Sequence, residues 1–291
     1  MIALRAEWLT AHPLPRVDAE TDKNARGRVL VAGGSLTVPG ALALTGEAAL
    51  RAGAGKVQLA TVEPAALPLG IAMPEAAVFG LPVNGTGEIA ASAVARLLDL
   101  LEACDTLVLG PGMGPDSAAS SIVRRLLAKP VGERSILLDA AAIGGASGCA
   151  DAVRGHGGRV VLTPHPGEMM QLMGCDEDEV RDKPEALARS AAERFGATIV
   201  LKRSETWIAA PDEDVLCYEG GGPGLATGGS GDVLAGIMGG LLSRGAAPRI
   251  AAAWAVWLHG EAGRDRATVS GKIGFLAREL LGEIPRLMAA G

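Results

Sequence analysis

The sequence predicts an α/β fold, a three-layer sandwich with a mostly parallel central sheet and helices on both faces. Three observations carry it. Short runs of branched aliphatic residues alternate with longer stretches of helical periodicity, the mark of parallel βαβ units. The composition is 48% hydrophobic but only 3% aromatic, so Ala, Val, Leu and Ile must build the core, and such small side chains suit closely packed helix–sheet layers. A length of 291 residues allows one large α/β domain or two small ones. No repeat, low-complexity tract or linker divides the chain, so a single domain over 1–291 with its core at about 25–287 is expected. By surface scaling, such a chain buries roughly 31,000 Å² on folding.

Residues 1–26 are polar, with prolines at 13 and 15, and are expected to run over the surface. Arg28–Ala32 (RVLVA) then reads as a buried strand that meets the turn Gly33-Gly34-Ser35. Ala41, Leu42, Leu44, Ala48 and Ala49 follow at helical spacing, and Gly53 and Gly55 mark the stop. Lys56–Thr61 is the next strand, and Leu107–Leu109, Ile136–Leu138, Val160–Leu162 and Ile199–Leu201 continue the series. Helical patterns at 88–103, 117–128 and 184–195 lie between them. Trp207–Ala209 and Val215–Tyr218 are close enough to form an antiparallel hairpin around Pro211–Asp214. Three more helices are expected at roughly 231–243, 248–266 and 273–284.

Composition excludes several function classes. A net charge of −6 without a long basic run argues against a nucleic-acid surface. The four cysteines (Cys104, Cys149, Cys175, Cys217) are widely spaced, with no CxxC or His–Cys pairing, so neither a zinc site nor a disulfide framework is indicated. Reduced thiols in a cytoplasmic protein are expected. No apolar run approaches 18 residues, and the N-terminus lacks a basic segment followed by an apolar one. A soluble protein with no membrane partner follows.

Ligands of open parallel sheets bind beyond the carboxyl ends of the strands. Five loops with glycine, proline or charge fall there: Gly33–Gly40, Gly110–Gly114 (GPGMG), Asp139-Ala140-Ala141, Thr163–Glu168 (TPHPGE) and Lys202–Thr206. The strongest feature is Gly220–Asp232, GGGPGLATGGSGD, which runs into an apolar helical segment. Glycines let main-chain N–H groups approach an anion, and the first N–H groups of a helix lack internal partners, so a phosphate suits this cradle. A carboxylate at a helix start is favoured by the dipole but repels a phosphate. Asp232 is therefore either an ordinary N-cap or a base that takes a proton from a hydroxyl attacking that phosphate.

GPGMG, LTPHPGE, VLK-x₃-T and GLATGGSGDVLAG, in this order and at these separations, resemble the ADP-dependent NAD(P)H-hydrate dehydratases of the ribokinase-like superfamily. The resemblance covers about residues 25–287. It implies a ribokinase-like fold without a separate lid domain. It implies a repair reaction: the S-form of NADHX or NADPHX, hydrated at the nicotinamide ring, is dehydrated to NADH or NADPH while ADP gives AMP and phosphate. Mg²⁺ is the implied cofactor, bridging phosphate oxygens and keeping several waters, and ADP is the co-substrate. A homo-oligomer, often a tetramer in relatives, is implied too. Some relatives fuse an epimerase for the same hydrates; the N-terminus here is too short for one, so pairing with a separate epimerase is expected.

Carried over position by position, the resemblance makes Asp232 the catalytic base. It places Gly40, Ala41, Gly112, Gly114, His165 and Asp232 at the hydrate, and Lys202, Arg203, Ser204, Glu205, Thr206, Gly229, Ser230 and Gly231 at the nucleotide. Asp139, Gly167 and Glu168 support these sites. Three positions depart from the family pattern. Arg203 stands where a glycine is usual, Gly222 where Asn is common, and Ala141 where Asp or Gly is usual; positive φ at position 203 would be costly for Arg.

Plainer readings stand beside these. His165, between two prolines, could be structural, and Glu168 could simply cap the next helix. His259 and Glu261 read as packing residues beside Trp254 and Trp257, and Asp176–Glu179 as a solvated face or helix start. For the whole chain, the alternative is a small-molecule alcohol kinase of the hydroxyethylthiazole-kinase type, which uses the same base and cradle. A non-catalytic nucleotide-binding protein is the reading from another class, and the presence of Asp232 argues against it.

Overall fold

The computed structural model describes residues 1–16, 22–114 and 117–290. β1 (Ile2–Ala3) and α1 (Ala6–Ala11) come first, then β2 (Arg28–Ala32), α2 (Ala41–Arg51), β3 (Lys56–Val62), α3 (Glu63–Ala72) and β4 (Ala77–Leu81). α4 (Val94–Glu102), β5 (Thr106–Leu109), α5 (Ser117–Leu127), β6 (Ser135–Leu138), α6 (Ala141–Ala146), α7 (Ala150–Arg154) and β7 (Val160–Leu162) continue the alternation. Three helices follow without a strand between them: α8 (Pro166–Met173), α9 (Glu177–Asp182) and α10 (Pro184–Phe195). The last strands are β8 (Thr198–Leu201), β9 (Thr206–Ala209) and β10 (Leu216–Tyr218). α11 (Ser230–Ser243), α12 (Pro248–Ser270), α13 (Ala277–Leu280) and α14 (Ile284–Ala290) close the chain.

The strands form one ten-stranded sheet in the order β1-β10-β9-β8-β7-β6-β5-β2-β3-β4. Only β9 runs against its neighbours, pairing antiparallel with β8 and β10. Because successive side chains of a strand point to opposite faces, each central strand feeds two cores. Val29 and Val31 of β2 join one core with α2, α11 and α12, while Leu30 and Ala32 join the other with α4, α5 and α10. This is the three-layer sandwich expected. Among the described residues no second sheet forms a lid, and no helix is long and apolar enough to cross a membrane.

Small residues matter most where α11 lies on α2. A Cβ on Gly236 would stand 2.2 Å from the Thr45 carbonyl oxygen, and one on Gly240 2.6 Å from that of Ala49. The two backbones touch, and the sparing use of aromatic residues permits it. Gly236→Val should cost about 3 kcal/mol of folding stability or more, because the clash is with backbone and cannot be relieved by a rotamer. Urea denaturation measures this; an unchanged midpoint would show that the two helices can separate without loss.

The sequence reading needs correction at its edges. Residues 1–26 do more than cover the surface: β1 pairs parallel with β10, Leu9 is fully buried, and the Trp254 indole N–H donates to the His12 carbonyl at 2.9 Å. Residues 17–21 lie outside the described part. The pattern at 88–103 is an α-helix only from Val94; before it come a 3₁₀ turn at Ala91–Ala93 and Ile89, which bridges back to Val83. The helix expected at 273–284 starts late and is split: Gly274 takes φ +100° and Phe275 turns inward against Gly224 before α13 begins at Ala277, and α13 ends at Leu280 before α14 opens at Ile284. α12 runs on to Ser270. All four cysteines are free, as expected, and Cys175 is only partly buried.

Candidate active site

Strand polarity brings the five suspected loops to one end of the sheet, and α11 starts there as well. The loops after β2 and β5 interlock. The Gly34 amide donates to the Pro111 carbonyl at 2.7 Å, and a Cβ on Gly112 (φ +69°) would meet that of Ala41 at 2.7 Å. Gly40 is the N-cap of α2 and is exposed, with Ala41 behind it. The Gly114 amide donates to Glu88 Oε2 at 3.0 Å, so Gly40, Ala41, Gly112 and Gly114 stand together. Glu88 was not foreseen; its partner is 26 residues away in sequence and no local pattern announces it.

Asp139 ends β6 and is buried. Its Oδ1 accepts from the Lys202 ammonium at 2.7 Å and from the Thr163 hydroxyl at 2.6 Å. The backbone around it is forced: a Cβ on Gly110 would lie 1.8 Å from the Asp139 carbonyl oxygen, and Ala140 adopts φ +48°, ψ −132°. An L-residue in that region is strained, and such strain gathers at functional sites.

His165 is the N-cap of α8 and Pro166 its first residue. His165 Nδ1 accepts from the amides of Gly167 and Glu168 at 3.0 and 3.3 Å, and the Glu168 carboxylate accepts from the His165 amide at 2.8 Å. This reciprocal cap bears out the structural reading of both residues. It does not remove the other reading, since the His165 ring is half exposed at the mouth of the site. Burial pushes the Glu168 carboxyl above its ordinary range, against the pull of Lys202 and the His165 amide.

α11 opens at Gly229, in the left-handed region at φ +88°, where a Cβ would strike Leu44 at 2.6 Å. Ser230, Gly231 and Asp232 form its first turn, and Asp232 is partly exposed, not walled off behind the fully buried Met238. Burial, with the nearby Asp139 carboxylate adding to it and Lys202 opposing, raises Asp232 to about 6. Lys202 lies close by: its Nζ would be 3.8 Å from a Cβ on Gly231. Burial works against the Lys202 charge, but Asp139, Glu168 and Asp232 outweigh it and hold the ammonium above its usual value.

Of the nucleotide segment, Ser204 is exposed and Glu205 and Thr206 partly so, with Thr206 paired to Tyr218 across the hairpin. Arg203 avoids positive φ, and its guanidinium turns away to the Val180 and Arg181 carbonyls of α9. It thus ties this segment to a helix end. Gly222 takes φ +77°, ψ 176°, an extended positive-φ conformation essentially confined to glycine. Asp176 caps α9 by accepting from the Glu179 amide at 2.9 Å, the plain reading of that acidic run. His259 departs from expectation: its Nε2 is 2.9 Å from Ser230 Oγ.

Three carboxylates (Asp139, Glu168, Asp232) thus couple to one ammonium in a site also suited to phosphate. That excess of negative charge fits a divalent cation arriving with the nucleotide. Among the described residues no group of three or more His, Cys, Asp or Glu could hold a metal alone. The carboxylate oxygens of Asp139 and Glu168 are the donor type Mg²⁺ takes, one or two of them besides phosphate oxygens and retained waters.

A model of the NAD(P)H-hydrate dehydratase family matches residues 29–286. The chain is 43% identical over 285 residues to the ADP-dependent (S)-NAD(P)H-hydrate dehydratase of Xanthomonas campestris pv. campestris, covering 97% of this chain and 94% of that one. Its fold is similar to that of the ADP/ATP-dependent NAD(P)H-hydrate dehydratase of Bacillus subtilis co-crystallised with ATP and Mg²⁺, with TM-score 0.82 and 29% identity over 99% of this chain and 98% of that one. A hydroxyethylthiazole kinase from Pyrococcus horikoshii OT3 shares the fold alone, at TM-score 0.57 and 16% identity over 91% and 89% of the two chains. With a family match across nearly its whole length and so close a relative, the chain belongs to the NAD(P)H-hydrate dehydratase family.

Proposed function

We propose that this chain is an ADP-dependent dehydratase that returns the S-form of hydrated NADH or NADPH to NADH or NADPH, releasing AMP and phosphate. The observation that carries the reading is Asp232, a carboxylate raised to about 6 at the start of α11, beside the amides of Gly229–Gly231 and close to Lys202. A base poised near neutrality is matched to taking a proton from an alcohol.

Water leaves a ring carbon poorly, and a phosphate ester leaves well. In the proposed sequence the ring hydroxyl attacks the β-phosphorus of ADP and gives its proton to Asp232. The bond from that phosphorus to the bridging oxygen breaks and AMP departs. The resulting ester then loses phosphate as the neighbouring ring carbon gives up a proton, restoring the dihydronicotinamide. The amides of Gly229, Ser230 and Gly231 take charge developing on the transferred phosphoryl group. Lys202 and the segment Arg203–Thr206 hold the nucleotide. Gly40, Ala41, Gly112, Gly114 and His165 hold the hydrate, and Asp139, Gly167 and Glu168 keep these groups in place. When bound, Mg²⁺ neutralises phosphate charge, and Asp139 and Glu168 are the residues that would hold it, through its waters. Such substrates and four free cysteines both suit the cytoplasm.

The test is product analysis. With hydrated NADH, Mg²⁺ and ADP, restored NADH absorbance should rise in step with equal amounts of AMP and free phosphate. Formation of a stable phosphorylated alcohol with no free phosphate would instead make the chain a kinase.

A further inference from the structure

The phosphate cradle has a neighbour that its own helix does not supply. Ser230 is the first residue of α11 and is buried, yet the helix does not use its hydroxyl as a cap. The Ser230 Oγ instead sits 2.9 Å from Nε2 of His259, on α12. A hydroxyl carries one proton and two acceptor sites, and a neutral imidazole has one N–H and one bare nitrogen. Burial pushes His259 down to about 4, against the pull of a hydrogen bond with the Ser230 backbone and with the Lys202 ammonium adding to it, so the ring is neutral and its tautomer decides which way the bond to Oγ runs.

A phosphate offers acceptors only. If Nε2 were bare, the serine would give its proton to the ring and turn lone pairs on the incoming anion. If Nε2 carries the proton, the ring donates to Oγ and the serine proton is free for the phosphate. We propose that His259 is a positioning residue for the nucleotide's terminal phosphate: its Nε2–H donates to Ser230 Oγ, so that the Ser230 hydroxyl donates to a phosphate oxygen. This rests on the reading of Gly229–Asp232 as the nucleotide cradle. The ring is well placed to act as a fixed donor. One residue on, a Cβ at Gly260 would lie 2.2 Å from the Tyr218 hydroxyl, and that hydroxyl donates to Glu261 at 2.8 Å. α12 is thereby locked against β10 on either side of this turn.

Calorimetric titration of ADP with Mg²⁺, without hydrate, tests the pair on the intact protein. Ser230→Ala and His259→Ala should each weaken ADP about tenfold, the scale of one hydrogen bond to a charged group. The double variant should be no weaker than Ser230→Ala alone. His259→Gln, whose amide N–H can also donate, should recover to within about threefold of wild type. The KM for hydrate should not move in any of them. Nitrogen NMR of the wild-type ring, assigned by the signal lost in His259→Gln, should show the proton on Nε2, and this holds even if His259→Ala fails to fold. A proton on Nδ1, a His259→Ala variant that binds ADP as wild type does, or losses that multiply in the double variant would each overturn the inference while leaving the cradle intact. Wild-type protein that binds no ADP would remove the cradle reading and this inference together.

Discussion

Replacing Asp232 with Asn should abolish turnover and, at neutral pH, make the protein more stable. Loss of a general base typically removes about 10²- to 10⁴-fold in rate, whereas ADP binding should persist, because the cradle amides and Lys202 are untouched. The stability gain follows from the raised carboxyl. Unfolded, Asp232 releases its proton near 3.8; folded, near about 6. Between these values the folded state holds the extra proton, so stability falls as pH rises through the window and stays reduced above it. Asn carries no such penalty. It should gain as much as about 3 kcal/mol at pH 8, less whatever solvent screens, with the advantage shrinking as pH falls toward 4. Denaturation curves of the two proteins at several pH values measure the gap, and absorbance of restored NADH measures the loss. Wild-type turnover by the Asn variant would end the assignment of Asp232 as base.

Lys202→Met should have the second largest effect, in three ways at once. Asp139 loses the partner at 2.7 Å and keeps the Thr163 hydroxyl; an unpaired buried charge of this kind costs about 3–5 kcal/mol. Asp232 loses a nearby cation that lowers it, so its carboxyl rises further and the acid limb of kcat/KM moves to higher pH. The nucleotide loses a positive charge, so ADP should bind more weakly. An ADP titration and a pH–rate profile check these separately. An unchanged titration would move the nucleotide away from Lys202, and an acid limb that stays put would mean that Asp232 is not the titrating base.

The central strands were legible because each buries aliphatic side chains on both faces and so prints an unbroken apolar run. β1 and β4 were not. β1 has two residues, and β4 is an edge strand, AVFGL, with a glycine inside and most of its residues at least partly exposed, so neither leaves a hydrophobic period. Gly274 delayed a helix that periodicity alone would start at residue 273, because a glycine reads alike whether or not it leaves helical φ. At the site, Asp232 and the glycine turns were visible because their chemistry is local to a helix start or a strand end, whereas Lys202 and Asp139 were singled out through the resemblance of their motifs. Glu88 and His259 were not, since each acts on a residue 26 or 29 positions away. Arg203 was placed at the nucleotide by resemblance; only the fold reveals that its guanidinium meets the α9 carbonyls of Val180 and Arg181.

The close fit of α11 on α2 has an electrostatic consequence. Gly236 meets Thr45 and Gly240 meets Ala49, so the two helices run the same way and both begin at the cleft. Each start carries about half a positive charge from its aligned peptides, and two like poles held side by side repel. Within the fold the Asp232 carboxylate, in the first turn of α11, offsets part of that repulsion. Replacing it with a neutral side chain would therefore leave the two poles less screened from each other, an electrostatic cost set against the gain from losing a half-buried charge.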